Sequence, residues 1–263
     1  MKTVGQVESL WRYPVKSMRG EQLQEAFLGY AGVYGDRLYA FRRASGPKPS
    51  PFLTATKLAE MLLYRPVYRY PEHMVRPGNL ADAESVPPGL APVYADSAEK
   101  MLDVETPDGN LLAIDDPQLL SALQDCIGQD DRLTLMRSDR AMTDCRPISL
   151  FSIQTAHELS SDLGFALDKR RFRANIYADL ASADGFAEDK FVGRMLQIGP
   201  KVVIAVMDRD PRCKMITLDP VTAEANPEVM KLVAKAHEGN AGVYAAVVVE
   251  GIIRPGDAIS VLN

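Results

Sequence analysis

Cys213 stands in the run Asp208-Arg209-Asp210-Pro211-Arg212-Cys213-Lys214, directly after the apolar stretch Val202 to Met207. A thiol set just past a strand, among arginines and a lysine, has surroundings that lower a cysteine pKa and favour a nucleophilic or metal-binding thiolate. The competing reading is a free cysteine buried as a small apolar residue, a common fate of that side chain. Cys126, Cys145 and Cys213 are odd in number and form no CxxC pair, so neither a disulfide framework nor a structural zinc site is indicated. His73, His157 and His237 lie far apart and form no histidine-rich metal motif. Any metal at Cys213 therefore needs ligands from outside the protein.

Composition narrows the partners. The 263 residues suit one large domain or two, and 46% hydrophobic with 25% charged content describes an ordinary globular chain. A net charge of -5 lacks the basic excess that drives nucleic-acid binding. No apolar run approaches the roughly 18 residues of a membrane span, and the N-terminus lacks the apolar core of a secretory signal. The expectation is a cytoplasmic protein with neither nucleic acid nor membrane as partner.

The elements that must position the thiol are mostly strands. Val4 to Leu10, Gln24 to Leu28 and Asp36 to Arg43 read as extended in the first half, with Lys57 to Tyr64 as a short helix. Tyr70 to Tyr94, rich in proline, glycine and acidic residues, reads as a surface loop. Met101 to Ile114 reads as a hairpin turning at Pro107-Asp108-Gly109-Asn110. Asp116-Pro117 to Gly128, Ser152 to Gly164 and Asn226-Pro227 to Gly239 carry the cap, proline and glycine signals of three helices. Arg132 to Arg137, Phe172 to Tyr177, Met195 to Ile198, Val202 to Met207, Val243 to Val249 and Ala258 to Leu262 supply further strands, giving a β-barrel decorated with helices. The turn Arg254-Pro255-Gly256-Asp257 reads as purely structural.

An ordered set of motifs resembles the MOSC family. It comprises Arg12-Tyr13-Pro14-Val15-Lys16-Ser17, Gly35-Asp36-Arg37, Phe172-Arg173-Ala174-Asn175, Arg212-Cys213 with Thr217-Leu218-Asp219-Pro220, and Pro255-Gly256-Asp257. The set is most similar to the branch that places an N-terminal MOSC β-barrel domain before the MOSC domain, which includes the mitochondrial amidoxime reducing component and its bacterial counterparts. The resemblance implies a mixed, β-rich α/β chain with a smaller barrel-like domain at 1–115 and the MOSC barrel, decorated with helices, at 116–263.

It also implies a molybdenum cofactor, with the metal held by a pyranopterin dithiolene and one protein cysteine, for which Cys213 is the matching position. A soft thiolate suits such a metal, and one sulfur suffices when the pterin supplies two. Lys16, Ser17 and Arg173 are the residues the resemblance favours for the phosphate, with Arg12 and Arg212 beside them, because arginine offers a planar fork, lysine a point charge and serine a hydroxyl. Each of these bases alone reads first as a solvated surface charge. Asn175 serves a pterin edge or caps a strand. Ser152, Gln154 and Thr155, at a helix start that faces the cofactor in the family, are secondary candidates. Tyr244 matches an aromatic position near the pocket and equally fits the core, while Cys126 and Cys145 read as structural.

The activity implied is reduction of small N-hydroxylated molecules by oxygen-atom removal at the Cys-ligated molybdenum, making Cys213 the catalytic candidate. With no ferredoxin-like extension expected, electrons come from a separate flavin or iron-sulfur protein. Pyridoxal phosphate belongs to relatives with an aminotransferase-like region, and no lysine-centred site for it is found here. The alternatives are a carrier that passes on the cofactor or a Cys213 persulfide, and a cofactor-free interaction module. One departure stands out: the family's Thr-Ala-Arg is here Thr54-Ala55-Thr56-Lys57, so Lys57 is the candidate replacement for a cofactor-facing arginine.

Overall fold

The computed structural model describes residues 2–48, 50–81, 96 and 98–262. Its first strands are β1 (Lys2–Arg12), β2 (Glu21–Leu23), β3 (Ala26–Gly29), β4 (Gly32–Val33) and β5 (Tyr39–Arg43). After them come β6 (Arg65–Tyr68), β7 (Leu102–Glu105), β8 (Leu111–Ala113), helix α1 (Pro117–Ile127) and β9 (Leu133–Arg137). The rest is β10 (Ile148–Ser152), α2 (Ile153–Leu163), β11 (Ile176–Leu180), β12 (Met195–Ile198), β13 (Val202–Pro211), α3 (Pro227–Ala236), β14 (Asn240–Val249), β15 (Gly251–Ile253) and β16 (Ala258–Val261).

Seven strands close a barrel in the order β11, β10, β14, β13, β12, β16, β1, with β1 also pairing back to β11. The barrel thus takes β1, inside the expected 1–115 unit, into one sheet with strands of 116–263. All its pairings are antiparallel except β10 with β11, and a parallel pair needs a crossover, which α2 supplies. Alternation drives closure: Val202, Ile204 and Val206 of β13 and Val243, Ala245 and Val247 of β14 turn inward with Ile148, Leu150, Ile176, Leu196 and Ile259. Burying each such valine or isoleucine gives about 1.5–3 kcal/mol. The register between β13 and β14 shifts after Val206 and again after Arg209. Such bulges twist a strand end and re-aim its side chains, here the approach to Cys213.

Outside the barrel, β5 pairs with β9, and β6, β7 and β8 stack over a separate core containing Phe41, Met61, Leu102, Val104, Leu119 and Leu123, so that α1 and β9, from beyond residue 115, pack with elements before it. A third cluster, with Phe151, Leu159, Phe172, Val229 and Val233, fastens α2 and α3 to the barrel. The caps act as their residues dictate: Asp116, Ser152 and Asn226 accept from the backbone amides of Gln118, Thr155 and Glu228.

Several expectations are corrected. Lys57 to Tyr64 forms only a 3-10 turn over Ala59–Leu63. Of Gln24 to Leu28, only Ala26 to Leu28 is strand, in β3, while Gln24 and Glu25 connect β2 to it. Phe172 to Tyr177 is not one strand: a 3-10 turn Lys169–Phe172 ends at Arg173 in the left-handed region, and β11 begins only at Ile176. Of the Tyr70 to Tyr94 loop, residues 82–95 lie outside those described, and its start is a 3-10 turn, Pro71–Met74. Among the described residues no helix is long and apolar enough to cross a membrane.

Candidate functional site

A cavity of about 350 Å³ opens where the end of β13, the start of β10 and the chain after β1 converge, and Lys16, Ser17, Arg173, Asn175, Arg212 and Cys213 all line it. Strand β13 runs to Pro211, and Arg212 is then pinned from three sides. Its backbone N–H donates to the Gly239 carbonyl (2.7 Å), its Nε to the Ala241 carbonyl (2.6 Å) and its Nη1 to the Phe172 carbonyl (2.9 Å). Gly242 makes the approach possible, because at φ 80° a Cβ there would stand 2.8 Å from the Leu150 carbonyl and 3.1 Å from Arg212 Nη2. Cys213 follows in extended conformation and opens the 3-10 turn Lys214–Thr217. Its side chain is exposed, which removes the buried-core reading.

The wall is electropositive. Among the described residues Lys16, Arg37, Arg146, Arg171, Arg173 and Arg212 line it against only Asp144 and Asp210. Lys16 Nζ donates to Asp144 Oδ1 (2.5 Å) and to the Met142 carbonyl (3.0 Å). Arg37 pairs with buried Asp36, and Arg171 with Asp219 at 2.8 Å. Arg173 has no carboxylate partner among the described residues. Its guanidinium lies 4.2 Å from the Tyr13 ring centre, with Arg37 4.8 Å from the same ring, and its Nη2 is buried without a hydrogen bond. Burial, reinforced by Arg37 and opposed by Tyr13, lowers its pKa to about 10. Such a cation lacks an anion.

Backbone strain gathers at the same place. Ser17 (φ 68°), Arg37 (φ 48°) and Arg173 (φ 52°) are half of the six non-glycine residues with positive φ among those described, and all three line the cavity. Left-handed backbone at non-glycine residues costs free energy and concentrates where geometry serves function.

Other candidates lie elsewhere. Arg12 is buried away from the cavity, its Nε on Glu21 (2.8 Å) and its Nη1 on the Tyr34 (3.1 Å) and Met74 carbonyls. Ser152 and Thr155 are sealed in the fold: both hydroxyls donate to Glu188, at 2.7 and 2.8 Å. The start of α2 thus faces a carboxylate of the protein itself, and Gln154 turns to Asp179 (2.8 Å). Lys57 reaches Asp131 (3.7 Å) rather than the cavity, to which Thr54 and Thr56 contribute instead. Asn175 lines the cavity, yet its amide ties strands together, accepting from the Ser149 N–H and donating to the Trp11 carbonyl, both 3.3 Å. Cys145, read as structural, is exposed and lines the cavity with Cys213; Cys126 is exposed on α1.

Sequence reasoning missed Arg37, Asp144, Ser149 and Asp210 as parts of the site. Arg37 was visible inside a quoted motif, and Asp210 stands three residues before the thiol. Asp210 is 1% exposed; Ser149 Oγ donates to its Oδ2 (3.0 Å), and Arg212 Nη2 lies 2.8 Å from that same oxygen in an ion pair rather than an aligned hydrogen bond. Burial raises its pKa, only partly offset by Arg212. Tyr244 faces the same carboxyl, and burial raises its phenol as well. A larger cavity, about 690 Å³, lies by Phe27, Tyr30 and Tyr34, but its Lys100 is already paired with Asp139 and no cysteine lines it.

No curated protein matches the chain. Among solved structures, YuaD from Bacillus subtilis aligns over 98% of this chain and 96% of its own at 14% identity, TM-score 0.49. YiiM from Geobacillus stearothermophilus aligns over 45% of this chain and 55% of its own at 17% identity, TM-score 0.33. The family model for the MOSC N-terminal β-barrel domain matches residues 4–115, and that for the MOSC domain matches residues 137–260. The chain is therefore a MOSC-domain protein with an N-terminal MOSC β-barrel domain.

Proposed function

We propose that the chain binds a molybdenum-pterin cofactor through Cys213 and reduces N-hydroxylated small molecules, with electrons from a separate flavin or iron-sulfur protein in the cytoplasm. The observation that carries the reading is the exposed Cys213 thiol at a cavity whose Arg173 has, among the described residues, neither a carboxylate partner nor a hydrogen bond at Nη2. The residues present fit the group. A dianionic phosphate supplies what Arg173 lacks, and a thiolate supplies a soft donor to a metal that brings its other sulfurs. Cys213 would hold the metal, Arg173, Lys16 and Arg212 the anionic end, and Ser17 a hydrogen-bonding edge. When bound, the group supplies a two-electron redox centre for cleavage of the substrate N–O bond. Tyr13 holds the two guanidiniums in place, and the Lys16–Asp144 pair closes the neighbouring wall.

The test is molybdenum and pterin content of wild-type and Cys213→Ser protein, purified without oxygen from a cofactor-overproducing host. Near-stoichiometric metal in the wild type and its loss in the variant are expected, followed by benzamidoxime reduction with reduced viologen dye. A variant that keeps its metal and full turnover overturns the assignment. Cys145 in the same cavity favours a second reading, a carrier holding a persulfide on Cys213. Cyanide-labile sulfur on Cys213 with no turnover would select it.

A further inference from the structure

We propose that Asp210 is the proton donor of this cavity, a carboxylic acid positioned by Ser149, Arg212 and Tyr244 that protonates the oxygen leaving an N-hydroxylated substrate. The inference rests on the reductase reading and adds to it the group that completes the chemistry. Reduction of a hydroxylamine, R–NH–OH + 2 H⁺ + 2 e⁻ → R–NH₂ + H₂O, breaks the N–O bond. The two electrons come from the flavin or iron-sulfur donor by way of the bound cofactor. One proton goes from Asp210 to the departing hydroxyl, which leaves as water; the other reaches nitrogen from solvent, and solvent reprotonates Asp210.

The geometry singles out this group. One oxygen of Asp210, Oδ2, is held by Ser149 and Arg212, whereas Oδ1 is buried without a hydrogen bond among the described residues, at the wall of the cavity that holds Cys213. A buried carboxylate oxygen with no partner is costly, whereas a protonated carboxyl carries a donor available to a ligand. The groups facing it are Arg212 beyond β13, Ser149 on β10, Tyr244 on β14 and Asp144. Burial and Asp144 raise its pKa, Arg212 and the two hydroxyls lower it, and the net direction is upward. Its competitors in the cavity are committed. Asp144 is held below the usual carboxylate range by Lys16, Arg37 and Arg173 against the effect of burial, and Lys16 gives two of its three N–H groups to Asp144 and the Met142 carbonyl, leaving the third for the anionic end. Tyr244 is a weaker acid than an ordinary phenol.

Two readouts test the proposal. In cofactor-free wild-type protein with ¹³C-carboxyl aspartate, the Asp210 resonance is expected to titrate above the ordinary value of about 3.9. A midpoint at or below that value overturns the acid role. In loaded protein, Asp210→Asn is expected to keep its molybdenum and pterin while kcat for benzamidoxime falls about 10²- to 10⁴-fold. The wild-type rate falls tenfold per pH unit above the Asp210 midpoint, and the variant lacks that limb. If Asp210→Asn does not fold or load, Asp210→Glu serves: a retained limb at reduced rate supports the proposal, and a lost limb overturns it. Wild-type turnover with an indifferent Asp210→Asn sinks the acid role alone. A wild type that holds molybdenum yet reduces no N-hydroxylated compound sinks the reductase reading, and the acid role with it.

Discussion

Two carboxylates buried at the same barrel, Glu188 and Asp210, differ in how they are satisfied. Glu188 is wholly buried and accepts from the Ser152 N–H, the Ser152 hydroxyl and the Thr155 hydroxyl, so both its oxygens are used. Asp210 is as deeply buried yet leaves Oδ1 without a partner. A completed polar network fixes structure, whereas an incomplete one in a cavity wall reserves capacity for a ligand. The same contrast separates two arginines. Arg12 spends its guanidinium on Glu21 and two carbonyls, and Arg173 keeps Nη2 free.

The largest effect expected is on Glu188. Glu188→Ala leaves the Ser152 N–H without its acceptor and removes the carboxylate to which the Ser152 and Thr155 hydroxyls donate, at the buried start of α2, and should cost about 3–5 kcal/mol in urea unfolding. Asp210→Asn keeps its shape and its bond to Ser149 but loses the charge facing Arg212, and should cost less, about 1–2 kcal/mol. Equal losses at both positions would erase the distinction. Next comes Arg12→Ala, expected to cost about 2–3 kcal/mol by stranding the Tyr34 and Met74 carbonyls and Glu21. Arg12→Lys should not restore it, since an ammonium lacks the fork. Measured beside them, Arg173→Ala should leave the midpoint unchanged or raised, as it relieves repulsion with Arg37. Its cost should appear in pterin retention, about tenfold or more; an Arg173→Ala protein that unfolds early and keeps its cofactor would reverse the roles.

The contrast also marks what the sequence could reveal. Cap and proline signals placed α1, α2 and α3 nearly to the residue, because capping is local chemistry written in adjacent side chains. The apolar stretch Val202 to Met207 announced β13, although the strand runs on through its polar end to Pro211. Short runs such as β10 and β15 carry too few residues for a period to register. At the site, Lys16, Ser17, Arg173, Arg212 and Cys213 converge as their motifs suggested. Arg12 and Thr155 were misjudged because a basic or hydroxyl residue looks the same in sequence whether its partner is a ligand or a carbonyl across the fold. Asp210 was hidden for the converse reason: its significance lies in a missing hydrogen bond, and only packing can create an absence of that kind.

Asp189, beside Glu188, falls between the two extremes and gives the smallest effect. Burial, with help from Glu188 and against Arg209, raises its pKa to about 6, and its Oδ1 is unpartnered. A carboxyl raised on folding binds its proton more tightly in the folded state. Its contribution is therefore fully present below about pH 4, the unfolded value, and is lost as pH rises through about 6. A shift of about two units corresponds to about 2.7 kcal/mol; with 28% of the side chain in solvent and Arg209 4.0 Å away, screening reduces this to about 1 kcal/mol. Asp189→Asn, which cannot ionise, should accordingly be more stable than wild type by about 1 kcal/mol at pH 7 and indistinguishable from it at pH 4. Paired urea titrations at the two pH values measure the difference. A gain of the same size at both would mean that the variant acts through packing rather than charge, and that Asp189 belongs with the satisfied carboxylates after all.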